Sequence, residues 1–89
     1  MARLELGFGG TLEQGLIAGG ADGLFELGLL YSSGRDVPAD MVMAHKWFNL
    51  AALRGNEAAK QYRMELSREM SKAQIAAAQK LAREWLRTH

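Results

Sequence analysis

ELGLLYSSGRDVPADMVMAHKWFNLAALRGN, residues 26–56, decides how this chain folds. Gly28, Tyr31, Gly34, Val37, Asp40, Trp47 and Gly55 stand at spacings that look chosen, and none is an obvious nucleophile or metal ligand. Before it, Leu24, Leu27, Gly28 and Tyr31 recur at three- and four-residue intervals, which predicts a helix running from Ala21 to about residue 32. Ser32-Ser33-Gly34 stops that helix, with Gly34 as a left-handed terminator. Pro38 biases Val37 toward extended backbone, and Asp40 stands where the next helix begins, as a cap or in its positive first turn. Over 40–53, Ala44, Trp47, Phe48, Ala51 and Ala52 form one apolar stripe, with alanines for close approach and rings to fill the space beside it. Gly55-Asn56 ends it.

Working outward, glycine is concentrated at the front, with eight of ten in residues 7–28. GFGG, residues 7–10, reads as a flexible arm or turn, so residues 1–10 are expected to form an arm and 11–89 a single domain. A phosphate-cradling glycine loop would need a strand before it and a helix after it, and neither is indicated. Thr11 with Gln14 has capping-box spacing for a short helix to about Ala18, weakened by Gly15. A further helix over roughly 57–70 shows Ala59, Tyr62, Leu66 and Met70. Ser71 with Gln74 then opens another, striped by Ile75, Ala78, Ala82 and Trp85, with Lys80–Glu84 and Glu84–Arg87 as expected solvent-side pairs. Four helices after the short first one make hairpins stacked side by side.

Composition narrows the function. The 89 residues are 48% hydrophobic and 24% charged, which fits one small globular domain. No cysteine is present, so disulfides and thiolate metal sites are excluded, and two histidines make a protein-built zinc site a poor reading. No metal and no other cofactor is expected. No apolar run approaches the roughly 20 residues of a membrane span, and MARLELGFGG does not read as a secretory signal, so the expectation is a cytoplasmic protein with no membrane insertion. A net charge of +1 gives no reason to expect nucleic acid. The distribution is uneven: residues 1–44 carry two basic and six acidic side chains (−4), residues 45–89 nine basic and four acidic (+5). That asymmetry either steers a charged partner, favours head-to-tail contact between copies, or reflects nothing beyond solvated helix faces.

AGGADGLFELG and LRGNEAAKQYRMEL align at a period of 36–37 residues, pairing Gly19 with Gly55, Ala21 with Ala58, Phe25 with Tyr62 and Leu27 with Met64. Leu27-Gly28, Tyr31, Gly34, Val37, Asp40, Ala44, Trp47-Phe48, Ala51-Ala52 and Gly55-Asn56 together make residues 19–56 resemble the Sel-one-like repeat, a relative of the tetratricopeptide repeat. The resemblance implies an all-α fold, a right-handed α/α superhelix of antiparallel helix pairs. It also implies a protein–protein adaptor, often bacterial, with no shared catalytic residues. Two departures stand out: Asp36 replaces the usual loop glycine and Met43 the usual lysine. The second copy lacks the Leu-Gly-x-x-Tyr signature, so residues 57–89 read as a degenerate terminal cap.

Candidate sites are few. His45, beside Lys46, falls off the apolar stripe and reads as a surface histidine. Ser32 and Ser33 are better as helix-stop residues than as nucleophiles. Glu65 and Glu69 are expected to pair with Arg68 and Lys72, and Met41, Met43, Met64 and Met70 to fill core. A tetratricopeptide-like arrangement would present the first helix of the hairpin to a groove, where Glu26, Leu29 and Leu30 are the candidate contacts with another protein. The expected function is a small non-catalytic adaptor. The alternatives are a self-associating chain, completing its core as a homo-oligomer, or an accessory subunit of a larger assembly.

Overall fold

A computed structural model describes residues 12–89. The expected arm over 1–10, and Thr11 of the expected capping box, lie outside them. Among the described residues there are five helices and no strands: α1 Glu13–Ala18, α2 Gly20–Ser33, α3 Met41–Leu53, α4 Glu57–Ser67 and α5 Lys72–Thr88. The protein is all-α. α4 is shorter than its sequence pattern suggests, ending at Ser67, with Met70 buried in the turn beyond.

The helix starts follow local side-chain chemistry. Asp40 accepts a hydrogen bond from the Met43 N–H at 3.1 Å, which makes it a true cap of α3. Asn56 does the same for Ala59 at 2.9 Å, and its amide donates to Asp22 at 3.1 Å, tying the start of α2 to the α3–α4 turn. Ser71 and Gln74 form the expected reciprocal capping box. α1 has Leu12 at its cap position and no side-chain cap. At the other ends, Gly34 and Gly55 have φ of 68° and 108°, as a left-handed terminator requires. Asp36 takes no left-handed conformation, since no non-glycine residue among those described has positive φ.

α3 lies at the centre, packed on α2 on one side and on α4 and α5 on others. Its Ala44, Trp47, Phe48, Leu50 and Ala51 are each 1% exposed or less. Two glycines in α2 set how close its neighbours come. A Cβ on Gly28 would stand 2.4 Å from the Phe48 ring, and one on Gly23 would stand 1.6 Å from the Leu16 backbone oxygen. Leu24 and Leu27, 1% and 2% exposed, complete the contact. Phe25, Phe48 and Tyr62 form an aromatic cluster with centroids 5.2–5.7 Å apart, and Trp47 meets Trp85 edge-on at 5.8 Å.

Three expectations fail here. The Lys80–Glu84 and Glu84–Arg87 pairs do not form, nor do pairs of Glu65 or Glu69 with Arg68 or Lys72. Among the described residues the one ion pair is Lys60–Glu57 at 3.5 Å. Long exposed side chains gain little by holding one geometry. Met70 is buried and Met43 packs against the core, but Met64 is half exposed. His45, expected at the surface, is 2% exposed. A single stripe assumes one covered face, whereas α3 is covered from several sides.

Candidate functional site

The clearest concavity is an open groove of about 390 Å³ along the last turns of α2 and the loop after it. Glu26, Leu29 and Leu30 line it, with Ser33, Arg35 and Asp36. The three residues singled out from the sequence thus share one groove. Glu26 is exposed, while Leu29 and Leu30 are half-buried, Leu29 lying against the core cluster. The groove therefore offers two aliphatic side chains on a fixed backbone with carboxylates of Glu26 and Asp36 around them.

The groove is held from behind. Tyr31 points to α1, where its hydroxyl donates to Glu13 Oε2 at 3.0 Å. Burial, followed by that bond and the negative charges of Glu13 and Asp40, pushes the Tyr31 phenol up to about 12. The Tyr31 carbonyl accepts from the Asp40 N–H at 3.0 Å, which folds the loop back onto α2. Ser32 and Ser33 donate their hydroxyls to the carbonyls of Leu29 and Leu30 at 3.1 and 3.2 Å. Both satisfy carbonyls at a helix end, as helix-stop residues do, and neither meets a base.

His45 is the residue whose surroundings sequence reasoning missed. Its Nε2 lies 2.9 Å from Ser67 Oγ, joining α3 to α4, and its Nδ1 is buried without a partner. Burial, and secondarily the positive charge of Arg63, lowers its pKa below 6.5. The Ser–His distance is that of a nucleophile and base, but no carboxylate orients the ring from Nδ1, and neither residue lines the groove. The contact is an inter-helix tie. Trp47 Nε1 is also buried and unpartnered. Its one sequence-level signal is the absence of any polar residue beside it in the α3 stripe.

Charge divides the molecule. The described residues up to 44 carry Glu13, Asp22, Glu26, Asp36 and Asp40 against Arg35, a sum of −4. Residues 45–89 sum to +5. Lys46 sits over the Trp47 ring at 4.1 Å, and Arg54 over Trp85 at 5.5 Å. Among the described residues no three His, Cys, Asp or Glu side chains gather as a metal site would need, and no helix is long and apolar enough to cross a membrane.

The Sel1 repeat family model matches residues 21–56, which span α2, α3 and the turn to Asn56. Residues 21–56 are a Sel1 repeat. Within the matched residues, Gly28 lies beneath the Phe48 ring, Tyr31 is fastened to α1, Gly34 closes α2 and Asp40 opens α3. Sel1 repeats generally mediate protein–protein interaction, without catalysis. No curated protein and no solved structure matches the chain.

Proposed function

We propose that this chain is a non-catalytic docking module whose α2 groove receives a segment of another protein. The observation that carries the reading is the convergence of Glu26, Leu29 and Leu30 on one groove whose backbone is fixed from three sides by Tyr31, Ser33 and Gly34. A preformed groove loses little conformational freedom on binding, so modest contacts suffice for useful affinity. Two half-buried leucines supply the apolar part, and Glu26 and Asp36 favour a segment carrying a basic residue next to an aliphatic one. A cytoplasmic setting fits a chain without cysteine.

The test compares capture from native lysate by the natural chain and by a Glu26→Ala/Leu30→Ala variant, with circular dichroism confirming equal helicity. The reading expects the variant to lose the captured protein. Undiminished capture by a folded variant overturns it.

A further inference from the structure

We propose that the occupant of the α2 groove is the C-terminal helix of a second copy of this chain, so that copies join head to tail. The inference rests on the groove reading above and names the partner. α5 docks on α3 through Ala82 and Trp85, and this leaves Leu86 at 41% exposure with Arg83 and Arg87 exposed beside it. Arg83, Leu86 and Arg87 stand at i, i+3 and i+4, one face of one turn. Glu26, Leu29 and Leu30 stand at the same spacing on α2, with Asp36 at the edge of the groove. A leucine between two arginines thus meets leucines between two carboxylates, turn against turn. Arg35 is the one like charge at the groove.

The two surfaces cannot meet within one chain. Trp85 packs on Trp47 and lies under Arg54, which places the end of α5 at the C-terminal end of α3. The groove adjoins the loop leading into the N-terminal end of α3, and α5 makes no substantial contact with α2. Among the described residues none of Glu26, Asp36, Arg83 and Arg87 has an ion-pair partner. The sums of −4 and +5 extend the complementarity over both ends. A contact between two different surfaces of one chain is heterologous, so each added copy leaves one groove and one α5 end open for the next.

The test is average mass by light scattering from about 10 µM to about 1 mM, at about 0.02 M and about 0.5 M salt. The natural chain grows beyond the monomer with concentration at low salt and returns to it at high salt. Arg83→Glu/Arg87→Glu and Glu26→Arg/Asp36→Arg, all exposed and so tolerated by the fold, each weaken self-association at least about tenfold. Mixed one to one, the natural α5 end of the second variant meets the natural groove of the first, and the reversed α5 end of the first meets the reversed groove of the second, so the mixture regains the association that each variant alone has lost. A natural chain that stays monomeric throughout, association that both variants leave unchanged, or variants that fail to pair on mixing overturns the proposal. A monomeric chain whose Glu26→Ala/Leu30→Ala variant still loses a captured protein shows a different occupant, so self-docking falls while the groove reading stands.

Discussion

In α2, Gly28 lets the Phe48 ring of α3 lie 2.4 Å from where a Cβ would be, and the two helices run in close contact. The corresponding stretch of α4 carries Met64, Glu65 and Leu66, and α4 makes no comparable approach to α5. Both helices pack on α3 instead. Trp85 stands thirty-eight residues after Trp47 and Ala82 thirty-eight after Ala44, so α5 keeps the stripe of its counterpart. What it lacks is a flat helix to press against. Phe48 is 1% exposed, whereas Leu86, thirty-eight residues on, is 41% exposed. The difference teaches that one glycine separates a closed hairpin from a pair of helices leaning on a shared third.

The comparison is broken most sharply by removing the matched tryptophans. Trp47→Ala should cost about 3–5 kcal/mol by urea unfolding, and Trp85→Ala only about 1–3 kcal/mol, because Trp47 is 1% exposed whereas Trp85 is only partly buried. Equal losses would mean that the two hairpins are equivalent.

Next in size is the glycine. Gly28→Ala gains helix propensity of about 1 kcal/mol but forces a buried ring aside, for a net loss of about 1–2 kcal/mol. Glu65→Ala on α4 should change stability by less than about 0.5 kcal/mol. A stabilised Gly28→Ala would show that the close approach is not needed.

The tie between the hairpins is read by pH. His45 is neutral in the fold with its pKa held below 6.5, so the unfolded chain binds the extra proton first as pH falls. Stability should therefore decline as pH drops through 6.5 toward the lower folded value, and be flat for this group above it. His45→Gln should remove that share of the decline, and an unchanged pH profile in the variant would place the loss elsewhere.

The smallest effect is expected at the clamp on α1. Tyr31→Phe removes a half-buried hydroxyl from Glu13 and should cost about 1 kcal/mol or less. It should also speed amide exchange in α1 while leaving α4 unaffected.

Much of this was legible in the residues. The stripe of α3, the caps at Asp40 and Ser71 and the stop at Gly34 each follow from local spacing or local chemistry, whereas the choice of Glu26, Leu29 and Leu30 came from the tetratricopeptide-like resemblance and not from their spacing. His45 did not, because its burial depends on how many neighbours cover α3, which no single-helix periodicity records. The second role of Asn56, capping α4 while holding Asp22, was hidden because it reaches across thirty-four residues. The missing ion pairs on α5 show that i,i+4 spacing permits contact without enforcing it. Gly23 was unread for the same reason as His45, since the need for it comes from the Leu16 carbonyl of another helix.

The account stands on the α2–α3 hairpin being a rigid platform that presents a ready-made groove. Native-state amide hydrogen exchange tests this directly. Amides of Leu24–Leu30 and Ala44–Ala51 should exchange slowest, only through global unfolding, with those of α4 clearly faster. Exchange in α2 as fast as in α4 would mean that the groove is not preformed, and would contradict the account.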